Sequence, residues 1–177
     1  EQATIEGHSY RLESPFLVIA TENPVEFFGT YPLPEAQLDR FAMRLNLGYP
    51  SEEEECSMML DRREHDPLTQ IRTVISKADI IDMQKHVKTL HVDKSLSMYM
   101  TRIVRATRTE PGVKLGASPR ALLSLSRFAQ ALAFIRGRTY VIPDDIKLLA
   151  PRVLAHRLIL DSKSKFSGIS QESVIKS

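Results

Sequence analysis

Phe16-Leu17-Val18-Ile19-Ala20-Thr21-Glu22-Asn23-Pro24 is the stretch on which the fold assignment turns. An unbroken apolar run over 16–20 suits a strand covered on both faces, as in a parallel sheet flanked by helices. Pro24 has no N–H to give to a ladder, so the strand ends before it. Asn23 then stands at the carboxyl end of a buried strand, where open α/β sheets place their ligand crevice. An amide there can hold an attacking water without titrating. A turn asparagine before proline is the plainer reading of the same residue.

Outward from this stretch the elements change character. Upstream, residues 3–12 alternate around Glu6-Gly7, a hairpin signal. Downstream, Pro34 can open a short helix reaching Arg40, and Phe41, Met43, Leu45 and Leu47 alternate like a half-buried strand. From Ser51 onward the pattern is helical. Ser51-Glu52-Glu53-Glu54 is a capping box opening a helix to about Arg63. A shorter helix is expected over 79–87. Asp93 can cap a helix whose apolar face is Leu96, Tyr99, Met100, Ile103, Val104 and Thr107. Ser118-Pro119 opens an apolar helix that stops at Gly137, and Pro143-Asp144-Asp145 opens another with Ile146, Leu149, Ala150, Val153, Leu154 and Leu158 on one face. The fold class is therefore mixed: the end of an α/β core (a hairpin and two sheet strands) over residues 1–50, then an all-α bundle over 51–160. Ser- and Lys-rich residues 161–177 read as a flexible tail.

The 177 residues are 42% hydrophobic and 26% charged, with a formal net charge of +2. That bias is too small to argue for nucleic acid. One cysteine, Cys56, excludes an internal disulfide and a multi-cysteine zinc site. The five histidines lack metal-ligand spacing, so no metal site is expected. No apolar run approaches the roughly 18 residues of a membrane span. Together with the absence of a signal peptide this makes a cytoplasmic protein the expectation. Cys56 and Met58-Met59-Leu60 fall within the helix opened by Ser51 and are expected to be at least partly buried. The chain contains neither GxxxxGK[ST] nor GxSxG.

Two arginines occupy element ends. Arg40 closes the short helix, where a cation complements the helix dipole and where a planar guanidinium could also reach a phosphate. A surface pair with Asp39 is its plainer role. Arg120, in Gly116-Ala117-Ser118-Pro119-Arg120, lies in the first turn of a helix, where the dipole disfavours a cation. That placement points to an anionic partner or a nearby carboxylate.

The run from Phe16 to Pro24, followed by Gly29-Thr30-Tyr31-Pro32-Leu33-Pro34-Glu35-Ala36-Gln37-Leu38-Asp39-Arg40-Phe41, resembles the MoxR family of AAA+ ATPases. Gly116–Arg120 and Gly137–Ile146 are similar to that family's helical lid. The resemblance covers about residues 1–160. It implies sensor 1 at Asn23, an arginine finger acting on the neighbouring subunit's ATP at Arg40, and sensor 2 at Arg120. It implies ATP and Mg²⁺ as ligands, a homo-oligomeric ring (a hexamer), chaperone-like maturation of client proteins, and a partner carrying a von Willebrand factor A domain. It implies that the hairpin over residues 3–12 is the insertion before the sensor 1 strand. The Walker A and B motifs would lie before Glu1, so the chain alone is expected to be inactive. Glu22 stands where the family usually has Gln, and Phe27-Phe28 where it has polar residues.

Two other readings are compatible with the residues. One is a helical binding module for nucleic acid or protein, using Arg102, Arg105 and Arg108. It lacks aromatic interleaving and a recognition-helix motif. The other is a related AAA+ machine such as a magnesium-chelatase-like subunit.

Overall fold

The computed structural model describes residues 2–22, 34–61 and 66–177. The chain divides into two compact units, Glu1–Leu17 with Leu45–Met83, and Val18–Arg44 with Gln84–Ser177.

The first unit contains the expected hairpin. Strands β1 (Gln2–Ile5) and β2 (His8–Arg11) pair antiparallel, with Ile5 opposite His8. Glu6 and Gly7 form the two-residue turn with φ of 51° and 82°. Both values are left-handed, as a type I′ turn requires, and glycine takes the second without steric cost. Helix α2 (Glu52–Asp61) opens on the capping box read from the sequence. Glu54 N–H donates to Ser51 Oγ at 3.3 Å, and Ser51 N–H donates to Glu54 Oε2 at 2.8 Å. A 3-10 turn follows at Pro67–Gln70. Helix α3 (Lys77–Thr89), longer at both ends than the sequence suggested, begins here and runs on into the second unit. Ser76 and Asp79 form its reciprocal cap, Asp79 N–H donating to Ser76 Oγ at 3.1 Å.

The second unit holds the core. Helix α1 (Glu35–Leu38) precedes α4 (Lys94–Ala106), α5 (Pro119–Ile135) and α6 (Pro143–Leu154). Asp93 caps α4 by accepting from Ser95 N–H at 2.7 Å. The apolar faces read from the sequence are those that pack: Met100 and Val104 from α4, and Ile146, Leu149, Ala150, Val153 and Leu154 from α6. On α5 the inward stripe is Ala121, Leu125, Ala129 and Ala133, every fourth residue and 0% exposed. Gly137, with φ of 70°, ends that helix in the left-handed conformation. Strands β3 (Val113–Leu115) and β4 (Ile159–Leu160) pair antiparallel.

The loop between α5 and α6 is tied by a buried carboxylate. Asp145 is 0% exposed and accepts both guanidinium nitrogens of Arg138, at 2.6 and 2.8 Å. It also accepts from Arg136 Nη1 at 3.2 Å and from Ile142 N–H at 3.1 Å. Burial alone would raise its pKa. The Arg138 fork, the Ile142 amide and Arg136 reverse that and hold it below the usual carboxylate value.

Four expectations are corrected. Residues 16–20 belong to no strand, and Leu17 and Ile19 are 78% and 80% exposed. A strand needs a ladder partner for its N–H and C=O groups, and no described residue supplies one. Residues 41–47 are likewise irregular; Met43 packs on the core and Arg44 N–H donates to Arg152 O at 3.0 Å. Helix α2 buries no residue: Cys56, Met58, Met59 and Leu60 are exposed, so the helical core starts after it. Finally, residues 161–177 form α7 (Ser162–Phe166) and α8 (Gln171–Lys176) rather than a tail. Asp161 caps α7, Ser170 caps α8, and Val174 and Ile175 pack against the core. Serines there act as caps, and two apolar residues suffice to dock a short helix.

Replacing Asp145 by alanine strands two guanidinium groups and an amide. The expected loss is about 3 kcal/mol in urea unfolding. Because the folded pKa lies below the unfolded one, this contribution is present above the ordinary aspartate pKa and disappears as pH falls through the lowered value. The gap between wild type and Asp145→Ala should therefore narrow in acid.

Candidate functional site at the α1 turn and the start of α5

After α1 the chain turns sharply. Gln37 and Leu38 N–H donate to Pro34 O at 2.7 and 3.1 Å, Arg40 N–H to Gln37 O at 3.0 Å, and Phe41 N–H to Leu38 O at 3.0 Å. These bonds face Asp39 and Phe41 partly inward and leave Arg40 exposed between them. The side chain of Arg40 makes no hydrogen bond or ion pair with another described residue. Asp39 pairs elsewhere: its Oδ1 lies 3.4 Å from Arg157 Nε and accepts from Ser118 Oγ at 3.5 Å.

Arg120 is set by a tight loop. A Cβ on Gly116 would stand 2.6 Å from Thr107 O and 2.7 Å from the Arg108 backbone, so only glycine fits. That approach lets Ala117 N–H donate to the buried Thr107 Oγ1 at 3.0 Å, while Arg108 Nε donates to Ala117 O at 2.9 Å. Ser118 and Pro119 then start α5, and Arg120 projects exposed from its first turn. Arg108, weighed above as part of a basic surface, is exposed and gives its Nε to this loop.

Arg157 and His156 close the arrangement. They sit in the 3-10 turn Ala155–Arg157 directly after α6. The Arg157 side chain is 1% exposed. Its Nη2 donates to Phe41 O at 2.8 Å and lies 3.5 Å from Ser124 Oγ, while Nη1 has no hydrogen-bond partner among the described residues. Burial lowers its pKa; Asp39 opposes that and Arg120 adds to it, so Arg120 is near enough for its charge to be felt. Arginine nevertheless keeps its proton in proteins. His156 Nε2 donates to the same Phe41 carbonyl at 3.1 Å. Burial pushes the His156 pKa down, only partly offset by that bond, so the neutral ring is favoured.

Of the three residues singled out from sequence, Arg40 and Arg120 thus belong to elements joined through Asp39, Ser118 and Arg157. Asn23 lies outside the described residues, as do Phe27 and Phe28. Sequence reasoning passed over Arg157. The available signal was its position: it falls four residues after Val153 on the buried stripe of α6, where a cation demands a partner. Among the described residues no group of three or more His, Cys, Asp or Glu could hold a metal ion. No helix among them is long and apolar enough to cross a membrane.

Comparison with known proteins bears on the class of the chain. Residues 1–43 match the ATPase family associated with various cellular activities (AAA), and residues 105–177 match the AAA lid domain. These two matches define the class as AAA+, with the α1 turn in one and Arg120 and Arg157 in the other. The chain is 46% identical over 173 residues to the uncharacterized protein YeaC of Bacillus subtilis, covering 98% of this chain and 54% of that one. It is 41% identical over 181 residues to the chaperone MoxR1 of Mycobacterium tuberculosis, covering 97% of this chain and 48% of that one. A crystal structure of a candidate ATPase from Cytophaga hutchinsonii superposes with a TM-score of 0.89 at 39% identity, covering 99% of this chain and 56% of that one. The chain belongs to the MoxR family of AAA+ ATPases, and it spans about half the length of the relatives it matches.

Two measurements probe the site's construction. Gly116→Ala forces the loop off Thr107 and Arg108 and should destabilise the chain by about 1–3 kcal/mol in chemical denaturation. His156 contributes stability above its unfolded pKa of about 6.5, lost as pH falls through its lowered folded value. Stability should therefore decline more steeply between about pH 7 and 5 in the wild type than in His156→Gln, which keeps a donor to Phe41 but does not titrate.

Proposed function

We propose that this chain supplies the arginine finger, the sensors and the lid of an ATP-hydrolysing MoxR-type machine with a chaperone-like role. The observation that carries the reading is the α1 turn: Arg40 is exposed and unengaged by described residues, while its neighbours Asp39 and Phe41 are anchored by Arg157 and Ser118. An exposed cation on an anchored turn suits delivery to a phosphate outside its own surroundings. The chemistry of phosphoryl transfer asks for little else, since catalysis rests on positioning and charge neutralisation.

In this reading Arg40 acts in trans on the neighbouring subunit's ATP, so the active site forms only in a ring, a hexamer. Arg120, an exposed cation at the start of the 17-residue α5, is the sensor 2 contact to phosphate. Pro119 has no N–H and Ala121 N–H is taken by Ser118 O at 3.0 Å, so what the helix N-terminus adds toward the same anion is its dipole. Release of the γ-phosphate would free that contact and let the lid rotate. Asn23 is assigned the sensor 1 role of holding the attacking water. ATP is the substrate, bound with Mg²⁺; no described residue is assigned to the metal. Residues 1–50 close the α/β core, and the lid carries Arg120. The sequence contains no GxxxxGK[ST] cradle, so the chain by itself is proposed not to hydrolyse ATP. The setting is cytoplasmic, with a client protein and a von Willebrand factor A-domain protein as partners. The chaperone name of the mycobacterial relative supports the role.

The test is ATP hydrolysis by the intact gene product against protein concentration. Activity should rise cooperatively as rings assemble. Arg40→Ala should lower kcat by about 10³-fold or more with ATP binding retained. Arg120→Ala should weaken ATP binding as well. A rate linear in concentration and indifferent to Arg40→Ala would remove the finger and the shared site.

A further inference from the structure

The finger reading of Arg40 leaves open what aims it, and the answer lies in a side chain that reaches both of its neighbours. Arg157 touches the residue before Arg40, through Asp39 Oδ1 at 3.4 Å, and the residue after it, through Phe41 O at 2.8 Å. We propose that Arg157 is a positioning residue for Arg40: it grips the turn on both sides and fixes the direction in which the finger leaves the surface. The proposal rests on the finger reading above.

The geometry favours this role over simple packing. Each residue has two soft backbone dihedrals, so pinning the Asp39 side chain and the Phe41 carbonyl restricts the four peptide torsions that orient Arg40. His156 Nε2 holds the Phe41 carbonyl a second time at 3.1 Å, and Ser118 Oγ holds Asp39 a second time at 3.5 Å. The turn is thus fastened to the first turn of α5, which bears Arg120, and to the end of α6. Arg40 alone is left outside this set. The arrangement also costs something that packing would avoid. Arg157 is a buried cation whose Nη1 has no described partner, and its one carboxylate approaches Nε at ion-pair rather than hydrogen-bond geometry. An apolar side chain of similar volume would often serve stability as well or better. A guanidinium, by contrast, can address two groups in fixed directions at once.

One consequence concerns communication around a ring. Arg120 contacts the subunit's own nucleotide in the proposed function, and Arg40 serves the neighbour's. Ser118 and Arg157 join the two within a single chain. A lid that shifts when its own phosphate leaves would carry the finger with it, so one site would set the geometry of the next.

The experiment measures kcat and KM for ATP in the intact gene product. Arg157→Met and Asp39→Asn are compared alone and in an Arg40→Ala background, with ATP affinity and thermal midpoint followed in each. Misplacing a catalytic group by about 1 Å can cost about 10²-fold. Arg157→Met should therefore lower kcat by about 10- to 100-fold, with KM changed by less than about threefold. In the Arg40→Ala background the same substitution should change the residual rate by less than about twofold, because the group it positions is gone. Asp39, one-third exposed, tolerates the change to Asn without burying a void, so Asp39→Asn carries the same test if Arg157→Met does not fold. Wild-type kcat in Asp39→Asn and Arg157→Met, or an equal loss with and without Arg40, overturns the proposal. A fast Arg40→Ala single variant removes the finger reading itself. A slow Arg40→Ala beside a fully active Arg157→Met removes only the positioning role.

Discussion

The close packing of α5 on α6 is the contact on which the rest of the second unit depends. Three of the four inward residues of α5, Ala121, Ala129 and Ala133, are as small as a side chain with a Cβ can be, and all are 0% exposed. Small residues at four-residue spacing bring the backbones close and let Ile146, Leu149, Val153 and Leu154 of α6 fill the remaining space. Register between these helices fixes two endpoints at once. Arg120 sits at the start of α5, and His156 and Arg157 come directly after the end of α6. A core substitution that slid one helix along the other would separate the groups that meet at the α1 turn without touching any of them.

The polar ties work at the opposite end of the same pair. Asp145 with Arg136 and Arg138 closes the α5–α6 loop, and Arg157 with Asp39 and Phe41 closes the other end. The two differ in completeness. Asp145 has both oxygens filled by donors, so its charge is fully compensated. Arg157 has one good hydrogen bond, a long contact to Ser124 and a looser ion pair. The first is what a structural tie needs. The second is a cation held where it is for the groups it touches.

Most of the second unit was legible from local rules. Capping residues, the left-handed Gly137 and the i, i+3, i+4 stripes are one-dimensional signals, and α4, α5 and α6 follow them almost to the residue. The hairpin was legible for the same reason, since Glu6-Gly7 specifies a turn by itself. The failures share a cause. A strand over 16–20 or 41–47 exists only with a neighbour, and an apolar helix face such as Met58-Met59-Leu60 is buried only if something covers it. Neither condition can be read from the segment concerned. The terminal helices failed in the opposite direction: a polar composition suggested a tail, while two caps and the Val174-Ile175 pair were enough to dock it.

The candidate site shows the same split. Arg40 and Arg120 were visible because each stands at an element end in a recognisable motif. The join between them was not, because it links positions far apart in the chain: Asp39 meets Ser118, and Phe41 meets His156 and Arg157. Only one part of it left a trace in sequence. Arg157 continues the buried row of α6 that holds Leu149 and Val153 and begins at the paired carboxylate Asp145, and a charge there must either be compensated or expelled. The Arg157 side chain is 1% exposed, and the carboxylate and carbonyl that meet it come from a distant element. Only a group that offers an acceptor facing the end of α6 can provide the compensation, and the turn carrying Arg40 does so twice. The buried cation thereby determines where that turn docks, and the exposed cation beside it follows.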